Sequence, residues 1–189
     1  MEDEYHMRWL EYQKEAFKTN ANLGDARTDD THMFCGMITE LGELVDVFKK
    51  NLAYNKPLDW KNIKEELGDF FWYVAGYAEH NQISIYYEVE NFDFQTAKMG
   101  DEDSLEILLN VVADVGRLID YRNANFQVRQ MTLLNAVLGI EAFCARNNIS
   151  MWRVLENNIE KLRTRYPNEF SQEKAINRNI EVESEVLDE

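Results

Sequence analysis

MFCGMITELGELVDVFKKNLAYNKPLDWKNIKEELGDFFWYVAGYAEH, residues 33–80, decides the fold. It carries two acidic signatures, Glu40-Leu41-Gly42-Glu43 and Glu66-Leu67-Gly68-Asp69, each inside an apolar pattern of helical period. Residues three apart lie one above the other on a helix, so each signature projects a pair of carboxylates in one direction. Met33, Met37, Glu40, Leu44 and Phe48 form a core-facing stripe, which sets Glu40 among apolar neighbours, where a bare charge is costly. Two such helices face to face predict a four-carboxylate cage, and a divalent cation is its natural compensation. Gly42 stands about 200° around the helix from Glu40. A mid-helix glycine costs about 1 kcal/mol relative to alanine, so Gly42 predicts a second helix pressed against the back of the cage.

Working outward, the same periodicity predicts helices over residues 3–19, 32–54, 60–81, 104–123, 126–147 and 151–165, with a further turn or two over 83–90 after a Ser84 cap. Asp59 and Ser150 are the expected N-caps of the third and last of the six. Residues 20–31 and 91–103 read as polar connections, and Pro167 stops the last helix. Only two prolines occur in 189 residues and no stretch reads as a strand, so the fold class is all-α, a helical bundle. Residues 1–170 read as one domain. An acidic, loosely held tail occupies 171–189.

The net charge of −15 argues against a nucleic-acid polymer as partner, since a phosphate backbone needs a basic surface. An anionic substrate has to arrive with its metal. Cys35 and Cys144 both lie in apolar helical stretches and read as reduced core thiols, which with the absence of a targeting or membrane-spanning run predicts a cytoplasmic protein.

A repeat runs through the chain. Glu40-Leu-Gly-Glu-Leu-Val-Asp46 aligns with Asp114-Val-Gly-Arg-Leu-Ile-Asp120 at an offset of 74, and His80-Asn-Gln-Ile-Ser-Ile-Tyr86 with Arg146-Asn-Asn-Ile-Ser-Met-Trp152 at an offset of 66. The counterparts of Glu40, Glu43, Glu66 and Asp69 are then Asp114, Arg117, Thr132 and Asn135, which lack the charge for a cation. The expectation is a live helix pair at 32–81, a degenerate copy at 104–147 that serves as scaffold, and a closing helix at 150–166. Two amphipathic helices also look alike through apolar spacing alone.

Glu40, Glu43, Glu66 and Asp69 offer hard oxygens with no sulfur or imidazole, which favours Mg²⁺, with Mn²⁺ as substitute, over zinc. A diiron bundle would need Glu-x-x-His pairs, and neither Glu40 nor Glu66 has a histidine three residues on. Such a cation steadies phosphate oxygens and acidifies a bound water, and Glu65 or a spare cage carboxylate takes the proton. On the last helix, Asn158, Lys161 and Arg165 share one face at spacings suited to gripping a phosphate chain. Six aromatic residues, Trp9, Phe17, Phe34, Tyr54, Trp60 and Tyr73, are candidates for stacking a base, each competing with a plain core role.

The Glu-x-x-Glu, loop, Glu-x-x-Asp order, the phrase EELGDFFWYVA and the closing NIEKLRTRYP resemble the MazG-like branch of the all-α nucleoside triphosphate pyrophosphohydrolases, especially its phage and bacterial members. The resemblance implies Mg²⁺-dependent cleavage of a nucleoside triphosphate between the α and β phosphates. It implies that Glu40, Glu43, Glu66 and Asp69 are metal ligands and that Asn158, Lys161 and Arg165 meet phosphate or sugar. It also implies a homodimer. In its internal repeat the chain is similar to the dimeric dUTPases of the same superfamily, which keeps dUTP open as substrate. A reading of another class is a non-enzymatic helical interaction protein whose cation site is structural.

Overall fold

A computed structural model describes residues 8–21, 23–84 and 103–166, together with 171, 173, 175 and 177. Among these residues there are six α-helices and no strand: α1 (Trp9–Phe17), α2 (Ala26–Tyr54), α3 (Trp60–His80), α4 (Ser104–Asp120), α5 (Phe126–Arg146) and α6 (Met151–Arg165), with a 3₁₀ turn at Tyr121–Asn123 after α4. The all-α expectation holds. The helical turn expected at 83–90 and most of the tail fall outside the described residues; Ile83 and Ser84 themselves are not helical.

Capping chemistry sets the boundaries. The Asp59 carboxylate accepts from Asn62 N at 3.0 Å and Ser150 Oγ from Arg153 N at 3.4 Å, as the sequence predicts. Helix α2 departs from expectation by starting six residues early. Asp25 accepts from Arg27 N at 3.1 Å and Thr28 N at 3.0 Å, satisfying donors at the helix start, so the polar run before His32 winds into the helix. Asn55 ends α2 in the left-handed region at φ 54, a conformation asparagine tolerates.

Helix α2 packs on α3, α4 on α5, and α2 on α4, while α1 and α6 both lie against α3 and touch each other. Trp9, Tyr12 and Ala16 of α1 are buried, and Trp72 Nε1 of α3 donates to Thr19 Oγ1 at 2.8 Å, which ties the end of α1 to α3. Phe48 meets Phe143 edge-on at 5.8 Å and links the two helix pairs.

The two pairs end alike. After α3, Ile83 N donates to Ala78 O at 2.8 Å across Gln82 at φ 54; after α5, Ile149 N donates to Cys144 O at 2.8 Å across Asn148 at φ 56. Asn81 Nδ2 donates to Asp30 Oδ1 at 2.8 Å, and Ser104 Oγ donates to Asn147 Oδ1 at 2.9 Å. Asp30 and Ser104 are 74 apart and Asn81 and Asn147 are 66 apart, the two offsets of the sequence repeat.

Three expectations are corrected. Among the described residues no atom lies within 4 Å of a Cβ placed on Gly42, so no described helix presses there. Cys35 is exposed because it lies on the side of α2 turned away from the buried Met33, Met37 and Leu41; Cys144 is buried as expected. Of the aromatic residues, Trp9 and Phe34 are core, while Phe17, Tyr54 and Trp60 are exposed.

Glu141 of α5 is fully buried, and neither of its oxygens has a hydrogen-bond partner. Burial pushes its carboxyl up to about 8. With an unfolded value near 4.3, Glu141 binds its proton more tightly in the folded chain, so folding stability declines as pH rises from about 4.5 to about 8 and then levels. Glu141→Leu is expected to raise stability by a few kcal/mol at pH 8.5 and by far less at pH 5. Urea unfolding of both proteins at the two pH values checks this, and an equal effect at both would contradict it.

Candidate metal and nucleotide site

Glu40 of α2 and Glu66 and Asp69 of α3 bring carboxylate oxygens to within 4.8 Å of one another. No other such group of acidic, histidine or cysteine side chains occurs among the described residues. Glu43, placed in the cage by sequence, is exposed at its rim, and its charge still acts on Glu40 and Glu66. Glu66 is buried at 7 % exposure, and Glu40 is half-buried.

Three carboxylates this close cannot all carry charge without compensation. Burial first, then the hydrogen bond to Glu40 and the neighbouring charges of Glu43, Glu40 and Asp69, push Glu66 up to about 9. Glu40 is also raised, by burial and then by Asp69. Glu66 therefore keeps a proton at neutral pH and donates it to the Glu40 carboxylate. A divalent cation is the other way to settle the same charge, and three hard oxygen donors in this arrangement fit Mg²⁺ or Mn²⁺.

Asp69 is settled differently. Lys161 of α6 is fully buried, and its Nζ lies 2.6 and 2.7 Å from the two Asp69 oxygens and 3.5 Å from Glu65 Oε1. Asn158, 2 % exposed, donates from Nδ2 to Asp69 Oδ1 at 2.9 Å and accepts at Oδ1 from the Tyr12 hydroxyl, also at 2.9 Å. Gly68 makes this approach possible, since a Cβ there would stand 3.0 Å from Asn158 Cβ. Of the three α6 residues expected at a phosphate chain, the structure thus places Asn158 and Lys161 inside the protein on Asp69. Arg165 lies further along α6, half-buried, with its guanidinium 5.8 Å from the Tyr166 ring centre and near enough to Tyr73 to act on its phenol.

Tyr73, one helical turn beyond Asp69, stands beside the cage. Its ring packs on Gly36, where any side chain would collide with it, and burial followed by the charges of Glu40 and Asp69 pushes its phenol up to about 12. Sequence reasoning missed Tyr12, whose position in an apolar stripe hid its hydroxyl. It also missed Glu141, a lone acid within the apolar face of α5.

The second helix pair holds no comparable cluster. Asp114 is paired with Arg117, which is exposed; Thr132 is buried with its hydroxyl donating to Val128 O at 2.7 Å; Asn135 is exposed. Arg117 therefore lies outside any cage, paired on its own helix.

Residues 29–99 match the family model described as the MazG nucleotide pyrophosphohydrolase domain. The match covers less than half of the chain and includes all four residues of the two acidic signatures. It supports a MazG-like, all-α nucleotide pyrophosphohydrolase, the family whose resemblance the motifs carry. No curated protein and no solved structure matches the chain. No helix among the described residues is long and apolar enough to cross a membrane.

The buried ion pair makes a prediction. Lys161→Met leaves the Asp69 carboxylate without its cation and is expected to cost about 3–5 kcal/mol of stability in the absence of divalent metal. The double variant Lys161→Met, Asp69→Asn should recover much of that loss. Denaturant unfolding across this double-mutant cycle is the check; simple additivity of the two single losses would mean that the pair is not coupled.

Proposed function

We propose that the chain is a Mg²⁺-dependent nucleoside triphosphate pyrophosphohydrolase that cleaves (d)NTP between the α and β phosphates to the monophosphate and pyrophosphate, in control or cleaning of the nucleotide pool. The observation that carries this reading is the convergence of Glu40, Glu66 and Asp69 within the stretch that matches the MazG model. In it, Glu40, Glu66 and Asp69 hold the cation and Glu43 reaches in from the rim. When bound, the cation supplies neutralising charge to phosphate oxygens and an acidified water. The remaining chemistry falls to the chain. Lys161 and Asn158 hold the Asp69 carboxylate in one orientation, with Tyr12 fixing the Asn158 amide behind it. Glu65, half-buried beside Lys161, is the proposed proton acceptor. Arg165, half-buried and near Tyr73, is the proposed phosphate contact.

A second reading, dUTP as substrate, draws support from the matched ends of the two helix pairs. We infer that α2–α3 and α4–α5 are copies in one unit covering residues 1–170, because hydrogen bonds between equivalent positions (Asn81 to Asp30, Ser104 to Asn147) accompany the sequence offsets. A live and a decayed pair in one chain is the arrangement that resembles the dimeric dUTPases.

Product analysis tests the reading. With Mg²⁺ and a panel of canonical and modified deoxynucleoside triphosphates that includes dUTP, at least one should yield monophosphate and pyrophosphate in equal amounts. Glu66→Gln should abolish turnover while leaving the helical circular dichroism unchanged. Release of orthophosphate would place the cut at another bond, and no turnover across the panel would favour the interaction-protein reading.

A further inference from the structure

The N-terminal half of α2 and the end of α4 border a cleft of about 770 Å³, within the range of about 300–1,000 Å³ typical of small-molecule sites. Among the described residues Phe34, Ile38 and Ile119 give it apolar walls, and Arg27, Asp30 and Arg122 bring charge to it. Ile38 stands about 200° around α2 from Glu40, so the cleft lies on the side of the helix away from the carboxylate cluster.

The chain carries 35 acidic residues against 20 basic ones, so an arginine finds a carboxylate easily. Arg117 and Arg163 do, and Arg129 donates to the Asn81 amide oxygen. Among the described residues the exposed guanidinium groups of Arg27 and Arg122 instead make no hydrogen bond and no ion pair, although the charge of Arg27 reaches Asp25. Both line this one cleft. Asp30 is half-buried; its Oδ1 accepts from Asn81 Nδ2 at 2.8 Å, and its Oδ2 has no partner among the described residues. The repeat separates what the frame needs from what it does not. By the offset of 74, Phe34, Ile38 and Ile119 correspond to Leu108, Val112 and Val45, so apolar walls are common to both helix pairs. Arg27, Asp30 and Arg122 correspond to Asp101, Ser104 and Phe48, so the charged groups have no like counterpart, and packing does not account for them.

Two guanidinium charges answer a phosphate monoester, which carries about −1.5 to −2 at neutral pH, and their forked donors suit its oxygens. The spare Asp30 oxygen takes a hydroxyl or amine donor, and the apolar walls take a flat, weakly polar body. A nucleoside monophosphate has all three parts. We propose that this cleft binds a nucleoside monophosphate at a site separate from the metal cluster, with Arg27 and Arg122 on the phosphate and Asp30 on a sugar or base donor. Binding there requires no metal ion, because the arginines supply the positive charge. The proposal stands independently of the proposed hydrolysis.

Cys35 lines the cleft and is exposed, which makes its alkylation a readout of occupancy. In the full chain, with a chelator present, at least one of the common nucleoside monophosphates at millimolar concentration should slow that reaction several-fold, while the buried Cys144 stays unreactive. Arg27→Gln and Arg122→Gln should each abolish the protection with unchanged helical circular dichroism, since both side chains are exposed. Glu66→Gln, which alters the metal cluster, should keep it. Absence of protection by every monophosphate overturns the proposal, as does protection that survives both arginine substitutions. Equal protection by inorganic phosphate also overturns it, because the cleft would then recognise the anion and not the nucleoside. Loss of protection in Glu66→Gln would place the nucleotide at the metal cluster and overturn it as well.

Discussion

A buried ammonium on a buried carboxylate organises this molecule. Lys161 has no exposed surface, and its charge is tolerated only because both oxygens of Asp69 and one of Glu65 lie against it. That requirement draws α6 onto the acidic face of α3. The Asn158 amide and the Tyr12 hydroxyl then bring α1 into the same network, and Gly68 supplies the space in which the three helices meet. One ion pair therefore fixes the orientation of one acidic side chain and the placement of the two helices that flank it.

Among the described residues the remaining acids of the cluster have no such partner. Glu40 and Glu66 face each other across the α2–α3 seam and share a proton, with Glu66 pushed up to about 9. The division of labour is physical: the Lys161 ammonium answers both oxygens of Asp69, while the Glu40–Glu66 pair holds a proton that a stronger cation can replace. The second helix pair shows what the same frame looks like without that tension. Asp114 is answered on its own helix by Arg117, and the hydroxyl of Thr132 turns back to its own backbone.

Much of this was legible in the sequence. Helical period, the Asp59 and Ser150 caps and the spacing of Glu40, Glu66 and Asp69 are local properties, and local geometry carries them into the structure nearly unchanged. The early start of α2 was hidden because a polar run reads as a loop until the Asp25 cap is recognised. Asn158 and Lys161 were visible as one helical face, but spacing on a single helix does not say what lies opposite, and the answer, Asp69, is 92 residues from Lys161 in sequence. Tyr12 and Glu141 escaped for a related reason: within an apolar period, a hydroxyl and a carboxyl are read by position and not by the partner that tertiary packing gives or denies them.

The central claim is that Glu40, Glu66 and Asp69 form a cation site that holds a proton when no metal is bound. Calorimetric titration of Mn²⁺ into the full chain, repeated in buffers of different ionisation enthalpy, measures both halves at once. The account predicts saturable binding near neutral pH with release of about one proton, the one that Glu66 holds with its carboxyl raised to about 9, and loss of that binding in Glu66→Gln. Binding without proton release, or binding that survives Glu66→Gln, would contradict it.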